Sequence, residues 1–243
     1  MKPISIFAVA ILALSAATQA APVDITGAGD FTIKGDYLEG ASDGAGVLLL
    51  HQCNQDRHMY DSVTPLMQKV GLHTLAIDLR AYGESIGGEY ELKKIRSNPD
   101  QQASRRFFRD MIRDKWTVDV LAAYEFLRTK MGNNRSIAAI GTSCGGREAV
   151  KLAGTRPIPV LALFSSAMQG PMFEAYKRLP STPTLFITSE EELGNAQPYF
   201  DLASHPSNRL IEYKGTGHGK PLLDRDPSLA GSIANWFVVH LNK

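Results

Sequence analysis

Short runs of consecutive apolar residues alternate along the chain with segments in which apolar residues recur every three or four positions. A continuous apolar run is typical of a strand buried on both faces, and the three-and-four spacing is typical of an amphipathic helix. The runs predicted to be strands are 46–50, 73–79, 136–140, 159–164, 183–187 and 209–213. The segments predicted to be helices are 59–70, 116–131, 144–153 and 227–241.

This alternation predicts a mainly parallel sheet covered by helices on both faces, because parallel neighbours need a crossover connection. No linker rich in Pro, Gly or Ser and no internal repeat divides the chain, so residues 21–243 are predicted to form one α/β domain. The least regular stretch, 81–114, is polar and follows a strand end. It is interpreted either as a cap over the carboxyl ends of the strands, where α/β proteins place their sites, or as a passive surface loop.

The first twenty residues differ from the rest of the chain. A basic start at Lys2 precedes an almost wholly apolar run at 4–17, and small residues follow at 18–20. This pattern predicts a signal peptide over 1–20 and a secreted or periplasmic mature protein. A membrane anchor is disfavoured because the run is short and the flank 21–24 carries no basic residue. No later stretch is apolar enough to span a bilayer, so no membrane contact is predicted after cleavage.

The composition is that of a soluble globular protein, with 44% apolar and 21% charged residues and a formal net charge of +1. Loss of Lys2 with the leader makes the mature chain formally neutral. The one concentration of basic residues has helical spacing and is interpreted as a solvated helix face; it comprises Arg105, Arg106, Arg109 and Arg113. The pattern therefore predicts neither a nucleic acid nor an anionic membrane as a partner.

A five-residue segment, GTSCG at 141–145, follows the predicted strand 136–140 and opens the predicted helix 144–153. A serine attacks well only if its hydroxyl projects from the backbone, and a tight strand-to-helix turn achieves this with a strained serine. Side chains two positions before and after that serine would collide, which accounts for Gly141 and Gly145. The order of strand, G-x-S-x-G turn and helix therefore predicts Ser143 as a nucleophile.

A nucleophilic serine needs a base, and His218 is the histidine that fits best. It lies in the glycine-rich segment GTGHG at 215–219, just past the last predicted strand, so it can reach the same edge of the sheet. The remaining histidines occupy less suitable positions at strand starts, helices or polar loops: His51, His58, His73, His205 and His240.

The histidine in turn needs an acidic partner that fixes its tautomer and stabilises its cation. Three glutamates, Glu190, Glu191 and Glu192, directly follow the predicted strand 183–187 and lie between serine and histidine in sequence. Asp78, at the end of an earlier strand, is a weaker candidate.

Several segments together resemble the α/β-hydrolase superfamily, and within it the dienelactone hydrolase-like branch. The matching segments are Leu50-His51, the run DLRAYGES at 78–85, the turn with its doubled glycine Gly145-Gly146, SEEE at 189–192, and Gly217-His218-Gly219. The resemblance implies an α/β-hydrolase fold with a mostly parallel eight-stranded sheet whose second strand is antiparallel. It also implies Glu192 as the acid of the triad, with Glu191 as the alternative.

The chain departs from the family pattern at three positions. Gln52 stands where glycine is common, the acid is Glu rather than the commoner Asp, and Cys144 follows the nucleophile. In dienelactone hydrolases proper, a cysteine holds the position of Ser143. The departure therefore favours ester hydrolysis over lactone hydrolysis.

An oxyanion hole follows from the geometry of such a turn. One donor is expected to be the backbone N–H of Cys144, directly after the nucleophile, and the other that of Cys53, in the loop after His51. These are the two cysteines of the chain. In an oxidising compartment they are hypothesised to form a disulfide that braces the hole; the alternative is two free, buried thiols.

Two other arrangements compete with this interpretation. Cys144 could itself be the nucleophile, although Thr142 is bulky for the flanking position that such a turn requires. His51, Cys53 and His58 could bind a metal, although their spacing matches no zinc pattern and a fourth ligand is not evident.

The predicted function is a serine hydrolase that cleaves carboxylic ester bonds of a small-molecule acyl substrate through an acyl-enzyme, with no metal or organic cofactor. Amide, lactone and thioester bonds remain open. A non-catalytic binding protein on the same fold is the alternative from another class.

Overall fold

A computed structural model describes residues 19–132, 134–167, 170–179 and 181–241. Nearly all of the predicted signal peptide, residues 1–18, lies outside this range. The first strand begins at Ala21, the residue after the predicted cleavage point. Along the described residues, no helix combines the length and the apolar character that crossing a membrane requires.

The described residues build one eight-stranded sheet in the spatial order β1-β2-β4-β3-β5-β6-β7-β8. Strand β2 is antiparallel to both β1 and β4, and the other neighbours pair in parallel. This confirms the predicted mostly parallel sheet with an antiparallel second strand. The strands are β1 (Ala21–Thr26), β2 (Thr32–Leu38), β3 (Gly46–Leu50), β4 (His73–Ile77), β5 (Ile137–Thr142), β6 (Leu161–Phe164), β7 (Thr184–Ser189) and β8 (Arg209–Tyr213).

Helices connect the strands and cover both faces of the sheet. They are α1 (Thr64–Lys69), α2 (Leu92–Ser97), α3 (Gln101–Met111), α4 (Thr117–Met131), α5 (Cys144–Ala153), α6 (Pro171–Lys177), α7 (Leu193–Leu202), α8 (Lys220–Arg225) and α9 (Ser228–Leu241). Short 3₁₀ turns lie at Ala28–Asp30, Arg57–Tyr60 and Glu190–Glu192, and a π-helical turn at Ile112–Trp116 joins α3 to α4.

The central strand β3 shows why the apolar runs are continuous. Leu48 and Leu50 belong to the apolar core on one face of the sheet, with side chains from α4 and α5, whereas Val47 and Leu49 belong to the core on the other, with α1 and α9. Successive side chains of a strand point to opposite faces, so every side chain of a strand buried on both faces lies in an apolar core.

Several predicted boundaries differ from those of the structure. The predicted helix 59–70 is divided into a 3₁₀ turn and α1, because Pro65 favours the start of a new helix at the first turn of α1. Strand β4 ends at Ile77 rather than at residue 79, and the carboxylate of the next residue, Asp78, accepts bonds from the backbone N–H groups of Arg57 and Glu84.

The excursion at 81–114 holds regular structure that the sequence did not predict in detail. It contains α2 and α3, and the predicted basic helix face lies on α3, where Arg105, Arg106 and Arg109 are exposed. Arg113, just beyond the helix, pairs with Asp110 and Asp114. These ion pairs are solvated, so they contribute little to stability.

Candidate active site

Ser143 lies in a sharp turn between β5 and α5, with backbone angles φ 53° and ψ −114°. Its backbone N–H donates to the carbonyl oxygen of Phe164 at 2.8 Å, which ties the turn to the end of β6. A Cβ on Gly141 would lie 2.5 Å from Gly146 Cα, and one on Gly145 would lie 2.6 Å from the carbonyl oxygen of His51. Both glycines are therefore required by close backbone approach, and the serine carries a backbone conformation that non-glycine residues rarely adopt.

His218 lies in the loop between β8 and α8, and its Nδ1 is 2.5 Å from Oε1 of Glu192. An ionised carboxylate only accepts hydrogen bonds, so this contact places the proton on Nδ1 and leaves Nε2 as the basic nitrogen. The other carboxylate oxygen of Glu192, Oε2, is buried and has no partner among the described residues. The carboxylate is thus partly desolvated and directed at the imidazole.

The other candidate acids serve elsewhere. Glu191 is exposed, and its backbone N–H donates to the Gly215 carbonyl oxygen. Asp78 is fully buried and accepts bonds from Arg57 and Glu84. Of the predicted acids, the structure brings Glu192 against the histidine.

Ser143 and His218 both lie at the carboxyl edge of the sheet, after β5 and β8. Gly219, next to His218, is so close to the end of β5 that a Cβ there would lie 2.8 Å from Cγ2 of Thr142, the neighbour of Ser143. Within the described residues no hydrogen bond joins the Ser143 hydroxyl to the His218 ring. Such bonds are often long without substrate and tighten during catalysis.

The structure joins Cys53 and Cys144 by a disulfide whose Cα atoms are 5.8 Å apart. Cys53 lies in the loop after β3, and Cys144 is the first residue of α5. The N–H of a first helical residue has no acceptor within its own helix, and the Cys53 N–H has none among the described residues. Two backbone N–H donors therefore lie beside Ser143. The bonded Cys144 sulfur offers no thiolate, which the alternative nucleophile would need.

The three residues of the alternative metal site point to separate partners. His51 is fully buried; its Nε2 accepts the Leu79 N–H at 2.9 Å and its Nδ1 donates to the Gln52 carbonyl oxygen at 2.7 Å. Burial lowers the pKa of the His51 imidazole. Exposed His58 pairs with Asp61 at 3.4 Å, and the Cys53 sulfur is bonded to Cys144. Across the described ranges, no group of three or more His, Cys, Asp or Glu side chains is placed to hold a metal ion.

Two residues that contact the histidine loop were not predicted from the sequence to have a role in the site. Gln52 Oε1 accepts the backbone N–H of Lys220 at 2.8 Å, and the Ser165 hydroxyl accepts that of Gly219 at 2.9 Å. For Gln52, the only sequence signal was that glutamine stands where glycine is common in the family. For Ser165, the sequence offered no signal.

Comparison with known proteins identifies the family of the chain. The sequence profile of the alpha/beta hydrolase fold family matches residues 47–218, which include most of β3, the Ser143 turn and His218. The chain belongs to the α/β-hydrolase family. No curated protein sequence matches this chain.

Several solved structures superpose on most of this chain. An esterase of Pyrococcus furiosus matches with a TM-score of 0.69 and 17% identity, over 92% of this chain and 91% of that one. A dienelactone hydrolase from Anabaena variabilis matches with a TM-score of 0.66 and 18% identity, over 92% and 100%. A cold-adapted esterase from an Arctic intertidal metagenomic library matches with a TM-score of 0.64 and 19% identity, over 92% and 94%. At these identities the likeness shows a shared fold.

Proposed function

We propose that this protein is a serine hydrolase that cleaves carboxylic ester bonds, with Ser143 as nucleophile, His218 as base and Glu192 as the acid. The observation that carries the proposal is the strained Ser143 turn at the same sheet edge as the bonded His218–Glu192 pair. Strain at a serine is retained where a function uses it, and a paired carboxylate and imidazole form the proton-accepting half of a triad.

The proposed reaction has two acyl-transfer steps. Ser143 Oγ attacks the ester carbonyl while His218 Nε2 takes the hydroxyl proton, and the Glu192 carboxylate stabilises the imidazolium that forms. The imidazolium returns the proton to the departing alcohol, which leaves an acyl-enzyme. Water then attacks the acyl-enzyme with His218 again as base, releasing the acid and restoring the serine.

The free N–H groups of Cys53 and Cys144 are the proposed oxyanion hole. Each such donor is worth about 3 kcal/mol to the transition state. The disulfide fixes the distance between the two segments that carry these donors, so we propose that it braces the hole. Intact mass after alkylation of the denatured protein without reductant tests the bond: no added alkyl groups are expected, and two would contradict it.

The excursion at 81–114 is proposed to cap the site through α2. The Arg96 side chain donates to Asn54 Oδ1 at 2.6 Å, and Asn54 follows Cys53 directly. The bulky side chains of α3 are engaged elsewhere, since Phe107 packs on Tyr90 within the excursion and Phe108 on Trp116 just beyond it. The acyl group is therefore expected to meet the α2 end of this excursion, on the side of the oxyanion loop.

Export is proposed from the leader-like residues 1–20 and from the disulfide, which oxidising compartments maintain. Expression of the full chain in a bacterium with cell fractionation tests this. The mature protein is expected in the periplasm or medium, with an N-terminus at Ala21. An uncleaved chain in the cytoplasm would contradict it.

A panel of p-nitrophenyl esters with acyl chains of two to twelve carbons tests the activity. Wild type should hydrolyse at least the short members, and Ser143→Ala and His218→Asn should each lose about 10³-fold or more in kcat. Ser232→Ala, an exposed serine on α9, is the matched control and should retain wild-type rates. Absence of wild-type turnover across the panel would contradict ester hydrolysis and favour a binding protein or another bond type.

A further inference from the structure

The loop that carries His218 has little structure of its own. Three of its glycines, at 215, 217 and 219, adopt left-handed backbone angles with φ of 77°, 144° and 63°. Glycine-rich segments have many accessible conformations, so a loop of this kind needs outside contacts to hold one side chain in place.

At its start the loop is held by the glutamate segment after β7. The Gly215 N–H donates to Glu190 Oε2 at 2.9 Å, and the Gly215 carbonyl oxygen accepts the Glu191 N–H. This contact is exposed and lies three residues before His218, so it fixes the near end of the loop and not the end that follows the histidine.

At its far end the loop is held by two buried side-chain acceptors. Gln52 Oε1 accepts the Lys220 N–H and Ser165 Oγ accepts the Gly219 N–H, and the two side chains are only 7% and 4% exposed. Both bonded amides come directly after His218. The backbone that leaves the histidine is therefore held from two different strand ends, those of β3 and β6.

The Gln52 contact is also a close steric fit. Gly219 lies so near Gln52 Oε1 that any Cβ at 219 would overlap it, and the same Cβ would press on Thr142. The glutamine thus occupies the space between the nucleophile strand and the histidine loop. It also stands directly before Cys53, the proposed oxyanion donor.

We propose that Gln52 is a positioning residue for His218, acting through the acceptor oxygen Oε1, with Ser165 as its second support. This inference rests on the proposed role of His218 as base. Proton transfer from Ser143 depends on placement of the imidazole, and a misplacement of about 1 Å can lower a rate by about 10²-fold. The effect is expected in kcat rather than KM, because the imidazole is needed in the transition state and not for binding the ester.

Two substitutions at Gln52 distinguish the role of its acceptor oxygen from that of its amide N–H group. Gln52→Met keeps the length of the side chain and removes the acceptor; kcat should fall about 10- to 100-fold with KM changed less than about threefold. Gln52→Glu keeps an acceptor oxygen and removes the amide N–H; it should recover most of the loss. Its added negative charge near the imidazolium should move the acidic limb of the kcat/KM profile to higher pH.

The matched control is Asn208→Leu, at the amino ends of the strands and so on the side of the sheet away from the site. Asn208 Oδ1 accepts the Thr184 N–H at 2.8 Å, so this variant removes the same kind of bond far from the site. It should cost stability comparable to Gln52→Met while leaving kcat unchanged. If Gln52→Met folds poorly, Ser165→Ala provides the second route, and it too should lower kcat selectively.

Wild-type kcat in both Gln52→Met and Ser165→Ala would overturn the inference. Equal losses in Gln52→Met and Gln52→Glu would also overturn it, since they would assign the effect to the amide group. Failure of the proposed function is distinguishable, because wild type itself would then hydrolyse no ester.

Discussion

The two halves of the proposed catalytic pair are held in place by different means. Ser143 is positioned by close backbone packing, because Gly141 approaches its own turn and Gly145 approaches the end of β3, which leaves the chain one tight path from β5 into α5. His218 is positioned by side chains from distant parts of the chain: Gln52 bonds to Lys220 across 168 residues, and Ser165 to Gly219 across 54. A turn fixed by backbone packing and a loop fixed by distant side chains thus lie at the same edge of the sheet.

This difference predicts how each half fails. A change in the Ser143 turn should disturb folding, because the strained backbone there is packed against β3 and β6. A change around the His218 loop should alter catalysis with less effect on stability, because the loop lies at the surface and its histidine side chain is 43% exposed.

The largest expected effect is on the histidine half. Glu192→Gln removes the charge that fixes the tautomer of His218, so kcat should fall about 10³- to 10⁴-fold with a small change in melting temperature. Glu191→Gln, one residue earlier and exposed, is the matched control and should keep wild-type activity. Steady-state kinetics on a short ester measures both. Equal activity of the two variants would remove Glu192 from the triad.

The disulfide links the serine half to the loop after β3. Cys53→Ala/Cys144→Ala should lower the free energy of unfolding by about 4–5 kcal/mol, since the bond closes a loop of 91 residues in the unfolded chain. Urea unfolding with and without reductant measures this. Reductant should destabilise wild type and leave the double variant unchanged; an equal response of the two proteins would contradict a disulfide in solution.

The Ser143 turn provides a smaller test, on folding. Gly145→Ala should cost about 2–3 kcal/mol, because its Cβ would press on the carbonyl oxygens of Leu50 and His51. Gly154→Ala, at the other end of α5, meets ordinary contacts of 3.4 Å or more and should change stability by less than about 1 kcal/mol. A Gly145→Ala protein as stable as Gly154→Ala would show that the turn is not sterically determined.

The smallest predicted effect is a pH dependence from His51. Burial lowers its pKa in the folded protein, so below its ordinary value of about 6.5 the unfolded chain binds a proton that the folded protein does not. The free energy of unfolding should therefore fall as pH drops from 7 to 5, by at most about 1.4 kcal/mol per pH unit from this one group. His51→Asn should show a shallower slope, and an unchanged slope would assign the dependence to other groups.

The parts of the fold that were predicted from sequence share a local signal. The bounds predicted for β3, β8 and α5 match the structure, because an apolar run or a helical spacing marks each of them directly. The bounds of β1 and β2 were not predicted, and the antiparallel second strand was expected only from the family resemblance. The outer strand Ala21–Thr26 lies at the sheet edge and buries little more than Ile25, so it carries no apolar run. Helices α2 and α3 are similarly polar. Because of this polar character, the stretch 81–114 was predicted to be irregular.

The site divides in the same way. The Ser143 turn and the glycine-flanked His218 each lie within five consecutive residues, so the sequence alone is enough to recognise them. The choice of Glu192 over Glu191 depended on a family resemblance, because adjacent glutamates look alike without a structure. Gln52 and Ser165 could not be assigned a role, because a bond across 54 or 168 residues leaves no pattern in the neighbouring residues.

Covalent labelling with a fluorophosphonate tests the central claim most directly. The reagent adds to a serine that an adjacent base activates, and peptide mass spectrometry identifies the residue. Stoichiometric labelling of wild type at Ser143, none in Ser143→Ala, and strongly slowed labelling in His218→Asn are expected. Wild-type protein that takes up no label, or Ser143→Ala that labels as wild type does, would contradict the assignment of Ser143 as the nucleophile.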